Sequence, residues 1–179
     1  MELVAPTLSL ESSFITFFED FSLNDVENSE HYAEGKTDFI RYVKRLKDES
    51  NGINLREDYV PCSHFWLVNG ENTILGAIRV RHNIETEFLT IEAGHIGYDM
   101  APSFRGKGYG KTMLKLAISK ATALGITKIL ITADEDNIAS RKVIEANGGE
   151  FENIVKGKVF NVPLARYWIN YATFKGITT

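Results

Sequence analysis

The chain is poor in the residues that would commit it to several kinds of chemistry. Among 179 residues the only cysteine is Cys62, so no intramolecular disulfide can form, and a reducing compartment, the cytoplasm, is the expected setting. Cys62 reads more simply as a strand residue than as a catalytic thiol. His31, His64, His82 and His95 are scattered with no His-x-x-x-His spacing, and no metal site is expected. No apolar run approaches about 18 residues, and Met1-Glu2-Leu3-Val4-Ala5-Pro6 lacks a basic stretch, so neither a membrane span nor a signal peptide is expected. Positive charge is also in deficit: the formal net charge of −4 argues against a general nucleic-acid binder. A Gly-x-Ser-x-Gly elbow is missing, which removes support for a serine hydrolase. No repeat, low-complexity tract or linker interrupts the chain, so 1–179 is expected to be a single domain.

What is present falls into two parts. Over residues 1–60 the apolar spacing is helical. Leu10, Phe14, Ile15, Phe17, Phe18 and Phe21 line one side of a first helix. The acidic stretch Asn24 to Gly35 reads as a loop or short helix, and a second helix runs from Thr37 or Asp38 to Ser50, closed by Asn51-Gly52. From Val60 the pattern turns to strands. Ser63 to Val68 and Thr73 to Arg81 form a hairpin, Phe88 to Ile91 reads as a short strand, and Gly94 to Met100 is a strand with His95, Gly97 and Asp99 on one face. An amphipathic helix over Lys111 to Leu124 and a buried strand over Thr127 to Thr132 follow, which predicts a βαβ-like unit with parallel pairing. Ile138 to Ala146 is a further helix, and Phe151–Val155 with Lys158–Asn170 make a final hairpin.

The informative stretch is Arg105-Gly106-Lys107-Gly108-Tyr109-Gly110-Lys111, between a strand and a helix. Glycines there can take positive φ and let a ligand touch the backbone, while the start of a helix presents free N–H groups. That combination suits a phosphate or pyrophosphate. A nucleoside-triphosphate loop, Gly-x-x-x-x-Gly-Lys-Thr, would need glycine where Arg105 stands, and a Gly-x-Gly-x-x-Gly loop would need glycine where Lys111 stands.

Arg/Gln-x-x-Gly-x-Gly/Ala does fit, as Arg105 to Gly110. With the strand before it and Asp136-Asn137-Ile138-Ala139-Ser140 after it, the chain resembles the GNAT superfamily of acetyl-CoA-dependent N-acetyltransferases. The resemblance is specific from Gly94 to Phe151, looks most like the branch of ribosomal-protein N-terminal acetyltransferases, and does not extend into residues 1–60. It implies an α+β fold with three-layer character: a mixed, mostly antiparallel sheet splayed at the cofactor site, with helices on both faces. The acetyl-CoA-binding core would be 94–151. The pantetheine arm would lie along Tyr98, Asp99 and Met100, with Asn137 and Ser140 nearby. The pyrophosphate would lie on the N–H groups of Lys107 to Lys111, with Gly106, Gly108 and Gly110 letting it touch the backbone, Arg105 and Lys107 adding charge, and Tyr109 packing on the cofactor. His95 stands where the family often has a glutamate and is the first candidate base; Glu92, which needs a bulge to reach the site, is the second. The family's usual acid, a tyrosine seven residues after the asparagine, is replaced by Ile144. The implied activity is transfer of acetyl from acetyl-CoA to a small-molecule or peptide amine by direct attack, the homodimer being a common state of the family. A non-catalytic acyl-CoA sensor is the competing reading, because of Ile144.

Overall fold

The computed structural model describes residues 1–170. Its frame is two antiparallel sheets that meet along one line. The first has the order β1-β2-β3-β4, where β1 is Glu2–Val4, β2 Cys62–Val68, β3 Ile74–Arg81 and β4 Ile96–Met100. The second has the order β5-β7-β6, with β5 Lys128–Asp134, β6 Glu150–Lys156 and β7 Pro163–Asn170. The fold is α+β, as the resemblance implied, and every strand ladder among the described residues is antiparallel.

Alternation divides the first sheet into two working faces. Leu67, Ile78, Val80 and Ile96 pack against Met113, Leu114, Ala117, Ile118 and Ala121 of α5 (Tyr109–Ala123), together with Ile129 and Ile131 of β5. The opposite face carries Cys62, His64 and Trp66 on β2, paired with Arg81, Arg79 and Ala77 on β3. The N-terminal helices cover it: α1 (Glu11–Asn24), the short α2 (Val26–Ser29) and α3 (Ala33–Thr37), and α4 (Phe39–Ser50). Phe14 lies at the centre, its ring 5.5 Å from Trp66 and 5.1 Å from Tyr42. The phenylalanine spacing of α1 is therefore a packing signal. In α4 the Asp38 side chain takes the N-cap role, accepting from the Arg41 N–H at 3.0 Å.

Three expectations are corrected. The stretch Phe88 to Ile91 is not a strand: Leu89–Ala93 forms a π-helical turn that ends on Gly94 at φ +60. Only glycine fits there, because a Cβ would lie 2.5 Å from the Leu130 carbonyl oxygen. The last strand begins at Pro163, and 157–162 form its turn. Finally, no parallel ladder joins β4 to β5. The sheets touch where the His95 N–H donates to the Leu130 carbonyl at 2.8 Å, and beyond that point β4 and β5 belong to separate sheets. Among the described residues, the edge of β4 away from β3 is thus left without a strand partner.

Candidate active site

The loop after β4 is shaped as an open cradle. Gly106 and Gly108 take φ +73 and +81, and a Cβ at either would meet nothing within 4 Å. Gly108 is the N-cap of the 15-residue helix α5, whose first N–H groups receive no side-chain cap. Free N–H groups, the positive end of a helix dipole and glycine backbone together fit a pyrophosphate. Gly110 sits inside α5, where a Cβ would make ordinary contacts 3.5 Å from Val143 and 3.7 Å from Met100. Lys111 is exposed in the first turn, and Tyr109 packs beside Phe104 with ring centroids 6.4 Å apart.

The two flanking cations are engaged with protein groups. Arg105 donates to the Met100 carbonyl through Nε at 3.0 Å, pairs with Asp25, and lies over the Phe21 ring. Lys107 donates to the Ser103 carbonyl at 2.8 Å. Asp20 of α1 accepts from both the Ser103 N–H and its hydroxyl. Residues 1–60, which bear no resemblance signal, thus hold the cradle through Asp20 and Asp25. The sequence offered no sign of this, because an acidic residue on a helix surface looks the same whether or not it has a distant partner.

Alternation sends the side chains of β4 in opposite directions. Tyr98 and Met100 point toward α5 and α6 (Ile138–Glu145), and the Tyr98 hydroxyl lies 2.9 Å from Ser140 Oγ, crossing the gap. Burial, more than offsetting the Ser140 hydrogen bond, raises the Tyr98 phenol to about 12. Asn137 caps α6, its Oδ1 accepting from the Ser140 N–H at 3.0 Å. Ile144 is fully buried in the core. Asp99 faces the N-terminal helices: Oδ2 accepts from the Tyr32 hydroxyl at 2.9 Å and lies 3.9 Å from Arg79 Nη1.

Neither expected base is placed to serve as one. His95 is buried, and its Nδ1 accepts the Leu130 N–H at 3.0 Å, so the lone pair a base must offer is already in use. Burial, then the nearby Arg81 charge, pushes its pKa down to about 4. His95 therefore pins β4 to β5 at the closed end of the splay. Glu92 caps the turn after β6. Its carboxylate accepts from the N–H groups of Lys158, Val159 and Phe160 at 2.8 to 3.1 Å. Burial raises its pKa, but the backbone donors of Phe160, Val159 and Lys158 outweigh this and leave it below the ordinary value. The π-helical turn supplies the bulge that Glu92 needed, yet aims the carboxylate away from β4.

Two expected results follow. The ordinary His pKa of 6.5 against about 4 for His95 in the fold means that the unfolded chain alone takes this proton between those values. The contribution is complete above pH 6.5 and is lost as pH falls toward 4. Denaturant melts at stepped pH should show His95→Gln losing less stability than the native chain across that window; parallel curves would sink this reading. At Gly157 a Cβ would stand 2.5 Å from Glu92 Oε2. Gly157→Ala should therefore cost about 1–3 kcal/mol in urea unfolding, and an unchanged midpoint would contradict the buried cap.

Above the polar end of the first sheet lies a cavity of about 560 Å³. Its floor is His64, Arg79 and Arg81; Tyr32, Tyr42 and Arg45 roof it. Arg45 bridges Glu34 and Glu49, and Glu49 also bonds His64 Nε2 at 2.7 Å. Burial lowers the His64 pKa, but Cys62 and Glu49 more than compensate and raise it overall. The cavity thus adjoins the Asp99 side of β4 through Tyr32 and Arg79, whereas the glycine cradle opens at the end of the same strand. The sequence indicated the cradle but not this cavity, whose roof and floor come from helices and strands that are separate in the chain, Tyr32 to Glu49 above and His64 to Arg81 below.

Similarity to known proteins points the same way. A curated relative, the uncharacterized N-acetyltransferase YycN of Bacillus subtilis (strain 168), is 25% identical over 146 residues, covering 78% of this chain and 92% of its own. Mycobacterium smegmatis RimJ in complex with CoA-disulfide superposes with a TM-score of 0.69 at 16% identity, over 96% of this chain and 82% of that one. The aminoglycoside acetyltransferase AAC(6')-Ib in complex with coenzyme A gives a TM-score of 0.67 at 14% identity, over 99% of each chain. Residues 17–150, which contain the cradle, β4 and every residue lining the cavity, match the acetyltransferase (GNAT) domain, and the chain belongs to that family of acyltransferases.

Proposed function

We propose that the protein moves an acetyl group from acetyl-CoA to an amine bound in the 560 Å³ cavity, by direct attack of the neutral amine. The observation that carries this reading is the position of β4. Its unpaired edge faces the splay, its end opens into the glycine cradle, and Asp99 reaches the cavity side. Gly106 to Lys111 would hold the pyrophosphate and the free edge of β4 the pantetheine arm, with Asn137 and Ser140 beside it. Acetyl-CoA, when bound, supplies an activated carbonyl carbon. Backbone N–H groups on the free edge of β4 are the donors available to polarise it.

Asp99 is the group for the acceptor's proton. Tyr32 and Arg79 orient Oδ2, while Oδ1 receives no hydrogen bond among the described residues and can accept one from an ammonium group. Burial, then the Asp99 charge, keeps the Tyr32 phenol protonated, so it remains a donor to that carboxylate. Tyr98 likewise keeps its proton and acts in the gap as a hydrogen-bond donor. Cys62, buried and unpaired, supports a reducing location such as the cytoplasm.

The test is thiol release from acetyl-CoA in the presence of pooled amines. Amine-dependent release supports transfer. Tight coenzyme A binding with no release to any amine or to water would favour the sensor.

A further inference from the structure

The floor of the cavity carries two guanidinium groups and too little negative charge to match them. Arg79 and Arg81 lie two residues apart on β3 and share the face turned toward the cavity. Arg81 Nη1 donates to the Ala93 and Gly94 carbonyls at 3.1 and 3.0 Å, both neutral partners, and it forms no ion pair among the described residues. Arg79 reaches one carboxylate, Asp99, at 3.9 Å, and the same oxygen already accepts the Tyr32 hydroxyl. The remaining inner carboxylates are taken: Glu34 by Arg45, and Glu49 by Arg45 and His64. Glu30 and Asp58 are exposed at the rim. Burial, and then the neighbouring Arg79 charge, lowers the Arg81 pKa to about 10. A cation held in this setting gains from an incoming anion, and paired guanidiniums offer a carboxylate or phosphate several donors.

Building on the acetyl-transfer reading above, we infer that the acceptor is an amine bearing a carboxylate or phosphate, which docks on Arg79 and Arg81 while its nitrogen reaches β4 at Gly97 and Asp99. The sheet register sets the span. Arg79 is paired with Gly97, and its guanidinium lies over that residue, where a Cβ would stand 2.9 Å from Arg79 Nε. Arg81 is two residues along the strand, about 7 Å away. The anion and the nitrogen are therefore separated by only a few bonds, as in a compact zwitterion. A polyamine would instead bring further positive charge onto the pair.

The experiment compares matched acceptors by thiol release: β-alanine with β-alaninamide for carboxylate, phosphoethanolamine with ethanolamine for phosphate, and spermidine as the polycation. At least one anionic amine should exceed its neutral counterpart in kcat/KM by about tenfold or more, and which pair does so identifies the anion. Arg81→Met should cut that preference to about twofold, with the loss in KM rather than kcat. Arg79→Gln serves as a second variant, and a coenzyme A-induced rise in Tm checks that each is folded. Preference for neutral or polycationic amines, or an anionic preference that survives both substitutions, overturns the inference. If no amine releases thiol, calorimetric titration of β-alanine and phosphoethanolamine into the coenzyme A complex gives a separate reading. Binding weakened about tenfold by the substitutions upholds the anion dock while the transfer reading fails; no such binding overturns the dock as well.

Discussion

Gly108→Asp is expected to weaken coenzyme A binding by about 100-fold or more while leaving the chain folded. Two effects combine. At φ +81 an L-residue costs about 1–2 kcal/mol, but the position is open to solvent and no neighbour lies within 4 Å of the new Cβ. The fold can absorb this. The larger effect is electrostatic. The uncapped N–H groups at the start of α5 are natural partners for an Asp carboxylate, so the new side chain would occupy the anion site from within. It would also repel a pyrophosphate, and like charges about 4 Å apart at an effective dielectric near 20 oppose each other by about 4 kcal/mol. Part of this is screened at an exposed loop, and about 2.7 kcal/mol suffices for 100-fold. Gly108→Ala carries the backbone cost without the charge and should lose far less. Isothermal titration with coenzyme A separates the two, and equal affinity for the Asp variant and the native chain would falsify the placement of the pyrophosphate.

The loop was legible in the sequence because its chemistry is local. Positive-φ glycines, a helix start and the strand before it all lie within a dozen residues, and neighbouring residues alone determine them. Arg105 shows where that stops. It reads as a phosphate cation from its position, but its guanidinium is turned by Asp25, 80 residues earlier. His95 and Glu92 fail for the same reason. Their residue types suit a base, yet His95 is committed by a backbone N–H 35 residues on and Glu92 by a turn more than 60 residues on. The parallel β4–β5 pairing was expected from connectivity, since a strand–helix–strand unit normally closes that way. Here Gly94 and His95 make the contact at one end only, and the rest of the edge meets no strand among the described residues. The helices of residues 1–60 could be read as a packing layer from their phenylalanines. Their second task, roofing a cavity over Arg79 and Arg81, depends on how alternation in β2 and β3 orients charges that are unremarkable in the linear chain.

Asp99→Asn is expected to lower kcat by about 100- to 1,000-fold, in the range lost when a positioned base is removed. Asparagine is nearly isosteric and can still accept from Tyr32, so the packing of β4 against α3 and the preceding turn should survive. What is removed is the negative charge: the proton acceptor, and with it the carboxylate 3.9 Å from Arg79. For an amine of pKa near 10.4, only about one molecule in 2,500 is neutral at pH 7, a handicap of roughly 4–5 kcal/mol. The variant has no side chain to offset this and must wait for amine that solvent has already deprotonated. Its rate should therefore climb about tenfold per pH unit toward the amine's pKa, while the native enzyme rises much less steeply. An acceptor of pKa near 8 should narrow the gap at pH 7, because it arrives neutral far more often. Coenzyme A affinity should stay within about twofold, since the proposed path of the arm follows the backbone of β4 and the Asp99 side chain faces the helices. Rate–pH profiles for both proteins, with one strongly and one weakly basic acceptor, separate these terms. A loss of threefold or less, or profiles of equal slope, would show that Asp99 only braces Tyr32 and that the proton leaves by water through the cavity.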